Sequence, residues 1–446
     1  MYDPLKQKQI LFNQPYPNSY WADISGEAPS NAGVLGTDIN TDVLIIGAGY
    51  TGMSCALHLA REHGVSPVVI EANQTAWGCS GRNAGFILKS TGRKAWTAMQ
   101  QDWGEDVMRQ VYHEACSGVD SVKALIAEGI DCDMQEPGYI RVAHKPSMMK
   151  ELVQQANLLS QMFGYDVDIL SRKDVHQQYM ADENAHGAIR FHDGVGINPL
   201  KLAFGYQDIL NQLGVNIYTN TPALAIEKVA NGYRVRTPQA HISCRKVVIA
   251  GNGYLPQGFH PAVANKSLPV LSQIIVTEPL TEQQLRQCNF ITSNVIMDTR
   301  ALKYYYRKLP DNRILFGGRG AITGKGAQNS YFADRLLGEL KRSFPALQDI
   351  RYQYQWAGWI CMALDDIPHI GEDTINKGVF YGMGYCGNGV SFSVQAGKRL
   401  AEKVAGVDVP DIPLYNKPLP TFPLPQFRRV GQWAYFHYGK FKDRYY

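Results

Sequence analysis

The stretch VLIIGAGYTG at residues 43–52 decides the fold. Four apolar residues run directly into three glycines spaced as G-x-G-x-x-G, and residues 51–63 have helical character up to Gly64. A short apolar run that ends in glycines is typical of a buried parallel strand. Residues 67–70 form a second such run, which ends at Glu71. The pattern therefore predicts a strand, a glycine turn, a helix and a second strand, which together make one βαβ unit.

The spacing of the glycines predicts a dinucleotide site. Gly47 permits the tight turn, Gly49 lets the backbone approach a pyrophosphate, and Gly52 lets the helix and the strand pack closely. The amino end of the helix presents free N–H groups and a positive dipole end to the phosphates. Glu71 follows Gly52 by nineteen residues; a carboxylate there suits the adenosine ribose and disfavours a 2′-phosphate, so FAD or NAD fits better than NADP. The predicted contacts in this unit are Gly47, Ala48, Gly49, Tyr50, Thr51, Gly52, Glu71 and Ala72.

Composition limits the class of protein. The chain has 446 residues, 45% of them hydrophobic, and a net charge of +4. This near balance of charge argues against nucleic acid as the main partner. The eight cysteines include no C-x-x-C pair, so free thiols in a reducing compartment and no metal site are expected. The amino terminus has no apolar core typical of a signal peptide and no run suits a membrane helix, so a cytoplasmic protein is expected. Membrane contact is disfavoured, and peripheral contact stays open as the alternative.

The order of apolar patterns predicts an α/β fold: a Rossmann-like dinucleotide-binding domain with an inserted, mostly antiparallel sheet domain. The antiparallel signal is strongest over residues 268–320, where apolar and polar residues alternate with an aromatic bias. Helices are predicted over 95–130, 148–163, 198–213, 331–344 and 390–405. The predicted boundaries are an amino-terminal arm (1–40), a discontinuous dinucleotide-binding domain (41–95, 165–265 and 350–410), a substrate-binding domain (96–164 and 266–349) and a carboxy-terminal tail helix (411–446).

The segment GCSGRNAG at residues 78–85 favours FAD over NAD. Its small residues let a backbone pass close to a flat ring or a pyrophosphate, and Arg82 is suited to phosphate charge. With this segment the chain resembles the D-amino-acid oxidase superfamily of flavoproteins, nearer its glycine/sarcosine oxidase and gamma-glutamylputrescine oxidase branches. The pieces that carry the resemblance are residues 18–21, 42–52, Glu71, 79–85, 247–253, 368–371 and 382–390.

The resemblance implies further FAD contacts. Along the pyrophosphate and flavin it places Ser80, Gly81, Arg82, Asn83, Ala84 and Gly85. Beside the adenine it places Ala225, and over the dinucleotide Gly251 and Gly253. At the polar edge of the flavin ring it places Gly384, Gly387, Asn388, Gly389 and Val390. Helix 390–405 then aims its amino end at the N1/O2 side of the flavin, where the dipole stabilises the anionic reduced ring. Asn388 stands where this branch often has histidine, so no proton-transfer role is assigned to it.

The resemblance also implies an enzyme that oxidises the C–N bond of a small primary or secondary amine or amino acid. Hydride passes to flavin N5, the imine hydrolyses, and oxygen or another acceptor reoxidises the flavin. FAD is expected to bind non-covalently; a covalent link to Cys361, close to where sarcosine-oxidase relatives carry an attached cysteine, is the alternative. Two other functions stay open: a flavin monooxygenase, although a second nicotinamide-binding glycine motif is missing, and a non-enzymatic flavin-binding assembly factor.

Substrate contacts are expected from the inserted sheet. Arg319, in the sequence GGRG at 317–320, is a candidate for binding a carboxylate with both arms of its guanidinium. Tyr306 and Trp359 complete the candidate catalytic set, with Trp359 as a wall of the pocket. Tyr304 and Arg307 are further candidates, and ordinary packing or structural pairing is the alternative for all of them.

Overall fold

A computed structural model describes residues 1–445, in which eighteen strands and twelve α-helices are found. The strands are β1 (Ile39–Ile46), β2 (Val68–Ile70), β3 (Phe86–Ile87), β4 (Tyr139–Val142), β5 (Asp168–Ser171), β6 (Gly187–Phe191), β7 (Val195–Gly196), β8 (Ile217–Tyr218), β9 (Ala225–Val229), β10 (Gly232–Arg236), β11 (His241–Ile249), β12 (Leu268–Thr277), β13 (Val295–Asp298), β14 (Tyr305–Lys308), β15 (Ile314–Arg319), β16 (Tyr352–Met362), β17 (His369–Glu372) and β18 (Val379–Met383). The helices are α1 (Tyr20–Ile24), α2 (Tyr50–His63), α3 (Trp96–Trp103), α4 (Glu105–Ala127), α5 (Met148–Phe163), α6 (Arg172–Gln178), α7 (Pro199–Gln212), α8 (Glu282–Cys288), α9 (Ser330–Ser343), α10 (Val390–Ala405), α11 (Pro413–Asn416) and α12 (Arg428–Tyr445).

The first sheet has the order β17-β18-β11-β1-β2-β8, and the β9–β10 hairpin extends it beside β11. The neighbours from β18 to β8 are parallel, and β17 is an antiparallel edge strand. Ile46 of β1 lies opposite both Ile249 and Ile70, so three strands end at the same level. The carboxyl edge they form is where open parallel sheets bind ligands.

The second sheet has the order β16-β12-β15-β14-β13-β4-β6-β5. Every pairing in it is antiparallel except that of β4 with β13. The longest pairing joins β12 to β16, from Leu268 opposite Met362 to Thr277 opposite Tyr352. The predicted fold class, a parallel α/β unit with an inserted and mostly antiparallel sheet, is confirmed.

Close helix packing fixes the carboxyl edge of the first sheet. Helix α10 lies against α2 because Gly397 lets the backbones meet: a Cβ there would stand 2.6 Å from the carbonyl oxygen of Thr51. Helix α4 packs on the other side of α10 through Gly118. The helix predicted over 95–130 is divided at Gly104, whose φ of +84° interrupts the helical backbone.

The sheets divide the chain at boundaries that differ from the predicted ones. Strands β5 and β6 pair in the second sheet, although residues 165–265 were predicted to belong to the dinucleotide-binding domain. Strand β16 also belongs to the second sheet, through its pairing with β12, and not to the 350–410 piece of the first domain. Apolar periodicity predicts that a strand exists, but its partner is decided by pairing between distant segments.

Both ends of the chain pack on the body. In the amino-terminal arm, Trp21 is buried and donates its indole N–H to the carbonyl oxygen of Asn83 at 2.9 Å. The ion pair between Asp3 and Arg429, at 2.8 Å, ties this arm to α12. The predicted tail helix is α12, and Tyr446 lies outside the described residues. Among the helices of residues 1–445, none combines the length and the hydrophobicity that a membrane-spanning segment requires.

Candidate active site

A cleft begins at the carboxyl edge of the first sheet and continues to the second sheet. It holds about 2050 Å³ of empty space, counting its solvent-filled mouth. The glycine turn after β1 and the start of α10 line one part, and side chains of β12, β14 and β15 line the other. One cavity therefore joins the predicted dinucleotide site to the predicted substrate domain.

The glycine turn has the geometry that a pyrophosphate requires. Gly47 has a φ of +112°, which side-chain-bearing residues rarely adopt. A Cβ on Gly52 would overlap the carbonyl oxygen of Gly47, so only glycine lets α2 start this close to β1. The first N–H groups of α2 have no partner within the helix, and that of Tyr50 donates to Ser80 Oγ at 3.1 Å. The helix thus directs N–H groups and its positive end at the cleft.

The Glu71 carboxyl lies where the sequence predicts a ribose ligand. Its oxygens accept the backbone N–H of Ala48 at 2.9 Å and that of Asn73 at 3.0 Å. Burial raises the pKa of Glu71, and the N–H donors oppose that rise. Each oxygen keeps a further acceptor position, which matches the two hydroxyls of a ribose.

The segment 78–85 brings a positive charge to the same cleft. Arg82 is 6% exposed, and its guanidinium carbon stacks 4.1 Å from the centre of the Trp77 ring. It donates to the carbonyl oxygens of Trp77 at 2.7 Å and Ala357 at 3.3 Å. Burial lowers its pKa, and within residues 1–445 no carboxylate lies within 4.0 Å of it. An unpaired buried cation beside the glycine turn fits the charge of a dinucleotide.

The start of α10 forms the opposite wall. Gly387 has a φ of +91°, and the loop leads to Gly389, which caps the helix. The amide of Asn388 donates to the carbonyl oxygen of Gly92 at 2.6 Å, so it fixes the loop. This helix start, the glycine turn, Glu71 and Arg82 supply helix dipoles, ribose acceptors and a cation along one cleft. The residues present therefore fit FAD.

The other part of the cleft belongs to the second sheet. Tyr305 donates to or accepts from Ser272 Oγ at 2.6 Å, and Phe86 packs edge-on against its ring. Arg319 lies on the same wall, and in the described chain no carboxylate is within 4.0 Å of its nitrogens. Burial, followed by the nearby Arg93 guanidinium, lowers the pKa of Arg319 to about 10.

Two further cations, Arg93 and Lys303, line this part of the cleft and were not predicted. Arg93 donates to the Tyr435 hydroxyl of α12 at 3.1 Å. Burial lowers the pKa of Lys303 to about 7, and the cations Arg141, Arg93 and Arg319 add to that effect. Both residues stand in loops, where neither periodicity nor a motif marks them.

Strand pleating separates the predicted tyrosines from the cleft. Tyr306 is 2% exposed and its hydroxyl donates to Asp182, inside the core of the second sheet. Tyr304 packs on Phe316 on that same face. Successive side chains of a strand point to opposite faces, so Tyr305 faces the cleft and its neighbours do not. The predicted catalytic contact of Tyr306 is corrected to a structural one.

Two more predicted contacts are structural. Arg307 is buried and donates to Gln135 Oε1 and to the carbonyl oxygen of Ile197, each at 2.5 Å. Trp359 is fully buried and donates its indole N–H to the carbonyl oxygen of Tyr2 at 2.9 Å. Trp359 therefore points away from the cleft, which its strand neighbours Gly358 and Ile360 line instead.

Most of the predicted cofactor contacts lie on the cleft. They are Gly47, Gly49, Tyr50, Thr51, Glu71, Ala72, Ser80, Arg82, Asn83, Ala84, Gly251, Cys361, Gly387, Asn388, Gly389 and Val390. The others shape the backbone behind it: Ala48, Gly52, Gly81, Gly85, Gly253 and Gly384. Ala225 begins β9 away from the cleft, and Ala223, two residues earlier, is the lining residue.

Comparisons with known proteins show which family this chain is similar to. The family model "DAO: FAD dependent oxidoreductase" matches residues 42–403. Gamma-glutamylputrescine oxidoreductase of Escherichia coli (strain K12) is 31% identical over 93% of this chain and 95% of its own. Glycine oxidase of Bacillus licheniformis is 23% identical over 82% of this chain and 93% of its own.

A solved structure shares the fold. Glycine oxidase from Geobacillus kaustophilus superposes with a TM-score of 0.69 at 18% identity, over 86% of this chain and 99% of that one. The family match spans more than half of the chain and includes the glycine turn, Glu71 and the start of α10. The chain therefore belongs to the DAO family of FAD-dependent oxidoreductases.

Proposed function

We propose that this protein oxidises the C–N bond of a small amine or amino acid that carries a carboxylate, which Arg319 binds. One observation carries the proposal: Arg319 has no acidic partner in the described chain, yet it lines the cleft that the dinucleotide site opens into. Arg319 is half-buried, and a partly desolvated guanidinium without an acid is stabilised when a ligand supplies the anion. The guanidinium matches a carboxylate through two parallel N–H···O bonds.

FAD, when bound, would supply the acceptor for the hydride that leaves the carbon next to the nitrogen. The chain holds FAD through N–H groups at residues 47–52, the Glu71 carboxyl and the start of α10. At the substrate end, Arg319 and Tyr305 orient the amine. Apolar side chains of Ile274 and Met297 line the cleft beside them and keep water from the reacting carbon.

The charge of the cleft favours the reactive protonation state of the substrate. An amine gives up hydride readily only when its nitrogen is neutral. Arg93, Lys303 and Arg319 line the cleft, and nearby positive charge lowers the pKa of a bound ammonium group. The ammonium group of the substrate therefore gives its proton to solvent water, and no dedicated carboxylate base is needed.

FAD is proposed to bind without a covalent bond. Burial raises the pKa of the Cys361 thiol to about 12, which keeps it protonated, and attachment requires a thiolate. Relatives named for oxidation of an amine or amino acid, such as gamma-glutamylputrescine oxidoreductase and glycine oxidase, support the reaction class. Oxygen or another acceptor is proposed to reoxidise the flavin.

The test is anaerobic mixing of the holoenzyme with a panel of amines and amino acids. Loss of the visible flavin band on mixing with a carboxylated amine is the expected result, and peroxide detection in air then identifies an oxidase. Reduction by NADPH alone would favour a monooxygenase and sink the proposal. No reduction by any donor would leave only a flavin-binding role.

A further inference from the structure

Three cations from separate segments meet at the substrate end of the cleft. Arg93 comes from the loop before α3, Lys303 from the loop before β14, and Arg319 from the end of β15. None of the three forms an ion pair with an acid among residues 1–445. The positive charge at this end of the cleft therefore exceeds the charge that one carboxylate can neutralise.

The nearby acids do not cancel this charge. Asp298, which acts on Lys303 through space, is bound by Arg300 and accepts the backbone N–H of Tyr304 at 3.1 Å. Asp366, which acts on Arg93, lies beyond 4.0 Å from every basic nitrogen in the described chain. Arg141 adds a further positive charge that acts on Lys303.

We propose that the substrate carries two carboxylates, one bound by Arg319 and the second by Arg93 and Lys303. This inference rests on the proposed oxidation of an amine. Two carboxylates neutralise the two guanidinium groups, whose charge persists at all working pH values. Lys303, with a pKa of about 7, can bind or release its proton near neutral pH and so match the remaining charge of the ligand. The proposed substrate class is an amine or amino acid that carries two carboxylates and has a net negative charge.

Helix α12 positions the second carboxylate site. The Tyr435 hydroxyl accepts a hydrogen bond from Arg93 at 3.1 Å. The Asp443 carboxylate accepts the backbone N–H groups of Ala301 at 2.6 Å and Leu302 at 3.1 Å, directly before Lys303. The carboxy-terminal helix thus holds both segments that supply this site, and Tyr435 and Asp443 are positioning residues.

Non-reactive acids test the binding site apart from catalysis. Holoenzyme is titrated with glutarate and with pentanoate, and binding is followed through the perturbed flavin spectrum. Glutarate is expected to bind about ten- to a hundredfold tighter, because the second charge-assisted contact is made by it alone. Equal affinity of the two acids would overturn the inference.

Variants assign the two sites. Arg93→Gln and Lys303→Met are each expected to weaken glutarate at least about tenfold and pentanoate less than about threefold. Arg319→Gln should weaken both acids. Arg286→Gln, on the exposed face of α8, is the matched control and should change neither. An equal loss of both acids in Arg93→Gln would contradict a separate second site.

Reactive substrates separate this inference from the proposed function. Iminodiacetate and aminodicarboxylic acids are mixed anaerobically with the holoenzyme beside sarcosine and mono-N-acylated diamines. Faster flavin reduction by the dicarboxylates supports the inference. Reduction by sarcosine or the diamines alone would overturn it and leave amine oxidation standing. Reduction by no amine would refute the proposed function, and the glutarate titration would still report on the anion site.

Discussion

Replacement of Arg319 by methionine tests most directly whether this residue binds the carboxylate of the substrate. A bidentate guanidinium–carboxylate pair contributes two charge-assisted hydrogen bonds, of about 1.5–3 kcal/mol each. Because Arg319 is half-buried in the cleft and has no other acidic partner, loss of both contacts should cost about 3–5 kcal/mol. This corresponds to a fall in kcat/KM of about 10²- to 10⁴-fold. Arg319→Lys keeps the positive charge but loses the two parallel N–H donors of the guanidinium, so a fall in kcat/KM of about 10- to 100-fold is expected.

The assay compares two substrates for each variant. One is the best carboxylated amine from the panel, and the other is the same amine with its carboxylate converted to a primary amide. The loss in kcat/KM should be confined to the carboxylated substrate, because the amide carries no negative charge for Arg319. Arg286→Gln again serves as the control for a lost surface arginine.

Equal losses with the acid and the amide would refute the reasoning, since they would show that Arg319 supports the fold of the cleft and not the charge of the substrate. An unchanged kcat/KM in Arg319→Met would remove this residue from the site. A normal flavin content in the variant ensures that the comparison reports on the substrate end.

Three further outcomes are expected. Gly52→Ala should lower the flavin content of the purified protein severalfold, because its Cβ would overlap the carbonyl oxygen of Gly47, whereas Gly338→Ala, with open space around it on α9, should retain full flavin content. After acid precipitation, the yellow colour should stay wholly in the supernatant, since burial keeps the Cys361 thiol protonated; colour retained in the pellet would demonstrate a covalent bond. The affinity for glutarate should fall as the pH rises through about 7, because a bound anion raises the pKa of Lys303 and the complex then holds more protons than the free enzyme. The Lys303→Met variant should bind glutarate with an affinity that no longer changes with pH around 7. If this variant showed the same pH profile as the unmodified enzyme, Lys303 would not be the group that titrates.

The sequence by itself determined the dinucleotide half of this protein. The glycine turn, Glu71 and the start of α10 are local features, because the tight turn, the close approach and the helix end are each fixed by neighbouring residues. Spacing predicted the glycine turn and Glu71, and the family resemblance implied the start of α10; all three line one cleft. The helix over 390–405 was likewise predicted with its observed bounds.

Only the tertiary structure decided the substrate half. The alternation of side chains along β14 makes Tyr305 face the cleft and Tyr306 face the core. Which residue faces which side is set by the register of β14 with β13 and β15. Arg93 and Lys303 reach the cleft from loops, and α12 from the far end of the chain holds them there. The cationic site therefore depends on contacts between segments that are 342 and 141 residues apart in the chain, which no local pattern records.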